Sequence, residues 1–447
     1  MRLKRSVAAG IVLATVCTTA WSEDRPLNDA PPGFINLFNG HDFLAWHGRK
    51  QDYSPYKEAE LSPEEHAKMQ EQWDADMRKH WHVDVAKGEI VSDGKGVYLT
   101  TDRDYGDFEM WIDWLMISHN GDSGVYLRTY PQVQIWDPDN PREVRNGAQK
   151  GSGALWNNND DNPGKWPLVR ADNPVGQWNT FHIKMIGSRC WVWFNDKLTV
   201  DGQTLDNYFD RSKPVLRRGP IELQTHGSEI RFRNIYLRPI GPEEANQTLD
   251  KMVGEEGYKS VFNGSDFTGW GGPTDEYEVK DGAIWCRPGK GGTIHTTEEF
   301  GDFEAKLEFL LPPAGNNGLA IHYPGKGDTA YVGTCEIQVL DDTAPVYAHL
   351  DPRQYCGSIY GVVPAHTGYL RPTGHWNFEH VTVKGHTITV ELNGTVIVHA
   401  DVSKVHDFMA NHAHPGLMRL KGSFGFAGHD DPVAFRNIRI KPLEGPQ

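Results

Sequence analysis

Two β-sandwich or jelly-roll domains in tandem, the first carrying a short helical insertion, are what this 447-residue sequence predicts. Three observations carry that all-β reading. The first is an ordered internal repeat. Phe38-Asn39-Gly40 with Asp42, Phe43 and Trp46 returns as Phe262-Asn263-Gly264 with Asp266, Phe267 and Trp270. Gly106-Asp107-Phe108-Glu109 returns as Gly301-Asp302-Phe303-Glu304, Trp178-Asn179 as Trp376-Asn377, and Phe232–Ile235 as Phe435–Ile438. The constant order marks a duplicated domain rather than a short-period array. The second is strict alternation: Phe108, Met110, Ile112 and Trp114 in one half and Phe303, Ala305, Leu307 and Phe309 in the other have polar or exposed partners between them. That period marks strands with one face in a core. The third is the turn chemistry, with Asn195-Asp196 and Asn393-Gly394 set between paired strands.

The elements follow in order. Arg2, Lys4 and Arg5 precede an apolar run from Val7 to Val16, and Ala20-Trp21-Ser22 offers small residues for cleavage, so residues 1–22 read as a signal peptide. The run is too short to span a bilayer, and the mature chain holds no transmembrane segment. An exported protein, periplasmic or secreted, is expected. Domain 1 occupies 31–240. Ser62-Pro63-Glu64-Glu65 is an N-cap, a first-turn proline and a glutamate at N3, predicting a helix to about Lys79 with no counterpart in the second half. Further strands are expected at 124–128, 132–136, 180–186, 190–194, 220–225 and 230–238. A linker helix falls in 241–257. Domain 2 (258–443) repeats the strands at 318–322, 336–340, 379–383, 387–392, 423–427 and 433–440.

Composition narrows the function. A formal charge of −15 without a basic stripe argues against nucleic acid. Aromatics at 11%, with 15 Trp, suit strands and also sugar-facing surfaces. Four cysteines remain after the leader: Cys190, Cys286, Cys335 and Cys356. They form no CxxC pair, so a zinc site is not indicated. Either a disulfide, Cys335–Cys356 first, or buried free thiols fits them.

With these motifs in hand, both halves resemble the 3-keto-disaccharide hydrolase domain, also described as the 3-keto-glucoside 1,2-lyase and 3-keto-glucal hydratase domain. The residues that carry the likeness include Ser123–Arg128, Gln132–Asp137, Gln177-Trp178-Asn179 and Gly219–Gln224 through His226-Gly227 to Ile235, beside the repeated motifs above. The resemblance implies concanavalin A-like sandwiches whose concave face holds sugar, in exported bacterial proteins acting on glycosides already oxidised at C3. A C3 ketone acidifies the C2 hydrogen, so a base can remove it and the enolate expels the group on C1; water then completes a net hydrolysis. Such a site needs a base, an acid and a donor for the enolate oxygen.

Comparing the copies suggests where that site lies. Glu222, Gln224 and His226 share one face of their strand, and the aligned residues in the second copy are Gly425, Ala427 and His429. Gln132, Gln134 and Trp136 face together with Asp137 closing the strand; the second copy has Glu336, Gln338, Leu340 and Asp341. On this reading domain 1 is the working copy. Asp137, Glu222 and His226 are its acid and base candidates, Arg128 or Gln224 holds the oxyanion, Gln134 binds substrate, and Trp136, Trp156 and Trp166 are stacking platforms. Glu336, Gln338, Asp341 and His429 form the second-domain group, with His322, His366 and Tyr360 nearby. A divalent ion polarising the ketone is a further option, without ligand spacing to identify one. Each residue also has a plainer reading. An Asp at a strand end caps a turn, an Arg on a sheet pairs with an acid, and repeated Gln or His residues tie strands together. The competing functions are a non-catalytic lectin-like carbohydrate-binding protein and an envelope module that uses the fold as a spacer.

Overall fold

In domain 1 of the computed structural model, which describes residues 25–444, two antiparallel sheets pack face to face. The export segment proposed at 1–22 lies outside the described residues. The outer sheet orders its strands Lys197–Thr204, Arg189–Phe194, Asn179–Ile186, Phe108–Met116, Ile230–Pro239, Glu89–Ser92 and Trp81–Asp84, with Ile35–Asn36 pairing beside Ile230–Pro239. The inner sheet runs Trp46–Arg49, Tyr98–Thr101, Ile221–Leu223, Asp122–Leu127, Tyr130–Trp136. Domain 2 repeats the plan, its inner sheet being Trp270–Gly271, Gly291–Phe300, Gly422–His429, Asn316–Tyr323 and Cys335–Leu340. The alternation read from sequence is the core: Phe108, Met110, Ile112 and Trp114 are buried in one sandwich, Phe303, Ala305, Leu307 and Phe309 in the other.

The repeated motifs turn out to be fasteners. Asn39 Oδ1 accepts from the backbone N–H of His41 and Asp42, as Asn263 Oδ1 does from Ser265 and Asp266. Trp46 and Trp270 each donate Nε1–H to the carbonyl nine residues back, Leu37 and Val261. Asp107 and Asp302 accept from the amides of Gly187 and Gly385. Arg233 lies over Trp178 at 3.9 Å and Arg436 over Trp376 at 4.1 Å. Asn195 and Asp196 at φ 45° and 64°, and Asn393 and Gly394 at 50° and 82°, make the left-handed pairs that two-residue hairpins need.

The expected helical insertion is present as α1 (Pro55–Ala59), which the sequence did not signal, and α2 (Pro63–His80). Ser62 and Glu65 close a capping box at the start of α2. Trp73 and Met77 of α2 join the core against Trp46–Arg49, and Gly48 is required there: a Cβ would sit 2.4 Å from the Trp73 carbonyl oxygen. α3 (Pro242–Val253) lies between the sandwiches, burying Ala245 and Leu249 against Ile186, Trp191 and Phe378. All four described cysteines are buried and unpaired, so the Cys335–Cys356 disulfide does not form. Among the described residues no helix is long and apolar enough to cross a membrane.

Candidate active site

The inner sheet of domain 2 carries the hollow. Cys335, Ile337 and Val339 point into the core, so Glu336 and Gln338 must face the other way. They line a cavity of about 200 Å³ with Asn316, Asp328, Tyr331, Tyr360 and His429. That volume lies below the ~300–1,000 Å³ of pockets for larger ligands and suits a single ring.

Glu336 is 5% exposed, and its Oε1 lies 3.8 Å from Nε2 of the half-exposed His429, an ion-pair distance. Burial pushes the Glu336 carboxyl above its ordinary range, and only His429 draws it back. The same carboxylate, with Asp328 and Asp430 behind it, raises the His429 imidazole. This is a buried base beside an acid at the rim, each tuned by the other. Gly318 makes room for it, since a Cβ there would lie 2.1 Å from Glu336 Oε1. Gln338 Nε2 donates to Asn316 Oδ1 at 2.8 Å, and Gln354 Nε2 to the Tyr360 hydroxyl at 3.0 Å. One wall comes from α4 (Thr329–Val332), which Asp328 caps by accepting from the Ala330 amide.

Domain 1 presents the same face filled. Glu222 pairs across the sheet with Tyr126 and Thr100, where domain 2 has Gly425 opposite Ala320 and His295. Gln224 Nε2 donates to the Tyr98 hydroxyl, which lies 3.3 Å from that of Tyr126; Tyr126 in turn donates to Asp52 at 2.8 Å. Glu222 is 1% exposed and sits under Arg49, whose Nη1 donates to it at 2.8 Å while Nε donates to Glu58. Burial still pushes the Glu222 carboxyl up to about 7, against the pull of Arg49. These side chains are bonded to one another across the face.

Several sequence candidates have other work. Arg128 is not in a pocket. It is fully buried at φ 58°, paired with Thr129 at 69° in the hairpin after Asp122–Leu127. Its guanidinium donates to the carbonyls of Gly106, Gly187 and Leu216. His322 stands at the matching place in domain 2, at φ 49° with Nε2 2.8 Å from the Gly301 carbonyl. Asp137 and Asp341 close their strands by accepting turn amides, from Asn120 and Asp139 in one copy and Ala314 and Thr343 in the other. Asp137 also holds His119 at 3.0 Å. Gln134 donates to Asp122, which lies 3.2 Å from His226 and raises its imidazole. Trp136 is buried with its N–H on the Gly151 carbonyl, edge-on to Trp156; Lys150 covers the face of Trp166 at 3.4 Å. His366 lines a different groove. The structure thus gathers Glu336, Gln338, Tyr360 and His429, and adds Asn316, Asp328, Tyr331 and Gln354, which sequence reasoning missed. Asn316 alone had a signal, since it aligns with Asp122. Among the described residues no group of three or more His, Cys, Asp or Glu side chains is placed to share a metal ion.

Residues 33–238 and 257–441 each match the 3-keto-alpha-glucoside-1,2-lyase-like domain family. The chain belongs to that family. A relative from Bacteroides thetaiotaomicron, a 3-keto-disaccharide hydrolase, is 26% identical over 238 residues, spanning 44% of this chain and 82% of the relative. A solved structure from Parabacteroides distasonis, provisionally assigned as a glycosyl hydrolase, is 26% identical and spans 42% of this chain and 99% of its own, with a TM-score of 0.38. A second from the same organism is 25% identical over 42% and 95%, with a TM-score of 0.37. The chain is a carbohydrate-active protein of glycoside-hydrolase type with two family domains.

Proposed function

We propose that the chain cleaves 3-keto-glycosides by elimination and hydration, in the domain 2 cavity rather than on domain 1. The observation that carries this is the buried Glu336 carboxyl 3.8 Å from His429 at the edge of an open, ring-sized cavity. Glu336 takes the C2 proton, and the electron pair becomes the enolate of the C3 ketone. The C1–O bond then breaks, and the departing oxygen takes its proton from the His429 imidazolium. Amides and phenols around the cavity supply donors for the enolate oxygen. Water then adds at C1 of the enone, losing a proton to the neutral His429, while the protonated Glu336 returns its proton to C2; both groups are restored and a net hydrolysis is complete. Family membership and the hydrolase relative support the substrate class.

The test is incubation with a 3-keto-glucoside and with its unoxidised parent, following aglycone release. Release from the keto compound alone, lost in Glu336→Gln and His429→Ala and kept in His226→Ala, is the expected result. Release from both compounds overturns the elimination chemistry. Binding without release leaves a lectin-like protein. Loss in His226→Ala with retention in Glu336→Gln moves the site to domain 1.

A further inference from the structure

Where the two domains meet, cationic side chains outnumber anionic ones around a second cavity. It measures about 210 Å³ and is lined by Asp107, Arg217 and Arg218 of domain 1, Pro242 of α3, and Arg371 and His375 of domain 2. Arg371 is 3% exposed. Its Nη1 donates to Asn246 and to the Trp376 carbonyl, but its buried Nη2 makes no hydrogen bond. The nearest acid, Asp107, stands 4.0 Å from that Nη2 and is shared with Arg128 at 3.6 Å. Glu243 and Glu308 are farther acids, and both are already spent on Arg436. Arg217 holds the Leu370 carbonyl and Arg218 the Asp104 carbonyl, fixing both guanidinia at the seam. Burial depresses the Arg371 and Arg217 guanidinia; Asp107 offsets this in part, and a neighbouring cation, Arg217 for Arg371 and Arg218 for Arg217, adds a smaller push downward.

A buried guanidinium with an idle N–H pair is costly unless something accepts from it. We infer that this seam cavity binds a small oxyanion, a carboxylate or phosphate group, through Arg371 with Arg217 and Arg218. Planar guanidinium forks match such groups. The ligand would touch both domains, separately from the sugar cavity.

Titration calorimetry on the full chain, with inorganic phosphate and with acetate in chloride buffers of matched ionic strength, tests this. Saturable one-to-one binding of either anion is expected; phosphate alone identifies a phosphoryl ligand, acetate alone a carboxylate, and both a general oxyanion site. Arg371→Met is expected to abolish it. Because Arg371 also holds α3, Arg218→Ala provides the second variant: this exposed side chain touches one carbonyl, and its loss is expected to weaken binding about tenfold. Keto-glycoside release should be unchanged in Arg218→Ala. Heats no larger than the chloride control, or equal affinity in wild type and both folded variants, would overturn the site.

Discussion

Changing Glu379 to Gln should flatten the pH dependence of stability. Glu379 replaces a core position: it lies on Trp376–Lys384 with Val381 and Val383 on the buried face, where domain 1 has Phe181. It is 1% exposed, its Oε2 has no hydrogen-bond partner, and burial alone lifts its pKa from 4.5 to about 8. A carboxyl raised on folding binds more protons in the native state, so its contribution is full below about 4.5 and is lost as pH rises towards 8. At ~1.4 kcal/mol per pH unit the loss reaches about 3 kcal/mol at pH 7. Glutamine imitates the neutral acid and cannot ionise, so any cost of its amide is a constant offset of ~1–3 kcal/mol. Urea unfolding followed by tryptophan fluorescence between pH 5 and pH 8 reads the difference. The wild type should lose stability across that range relative to Glu379→Gln. Parallel curves would refute an ionisable, unpartnered acid in this core.

Four further outcomes follow from the geometry. Gly318→Ala should cut keto-glycoside release, because the methyl takes the place of the Glu336 carboxylate, while circular dichroism shows the sandwich intact. The pH profile of release should be a bell. Its acid limb marks Glu336, above the ordinary glutamate range because the base must be ionised; its alkaline limb marks His429, above the ordinary imidazole range because the acid must be protonated. Arg49→Met leaves Glu222 buried without its cation and should cost ~3–5 kcal/mol in denaturant unfolding, with Glu222→Gln in the same background restoring part of it. Arg128→Met strips the donor from three carbonyls and should lower Tm, while the specific activity of the folded fraction stays unchanged.

The scaffold was largely legible because a fastener needs particular atoms. Asn39 and Asn263 hold the same turn by the same oxygen, and such residues recur as letters. The site was less legible because a hollow is made by what is missing. Reading Glu222 and Gln224 as function, and Gly425 and Ala427 as loss, pointed to domain 1. In three dimensions Tyr98, Tyr126, Glu222 and Gln224 fill their own concavity, and the small residues at the matching places in domain 2 leave that face hollow. Parity along a strand placed Glu336 and Gln338 on one face, but volume does not appear in a sequence. Arg128 failed for a different reason: a left-handed turn swings its side chain towards carbonyls far along the chain. Asp328 and Tyr331 come from the cap and body of α4, a single turn whose return over the sheet has no local signal.

The seam has a consequence for how the molecule can be taken apart. Beyond α3, the halves are stitched by Arg189 to Glu391 at 2.5 Å, Tyr369 to the Val215 carbonyl at 3.0 Å, and Ser188 beside Thr395 at 3.2 Å. Gly187 passes so close to the opposite hairpin that a Cβ would lie 2.2 Å from the Asn393 carbonyl oxygen. A protease nick just after α3, near Glu255-Glu256, should therefore give two fragments that travel together through gel filtration and separate only in denaturant. Co-expressed as separate polypeptides, the halves should find each other, which would make this a split enzyme whose complementation reports on the seam itself.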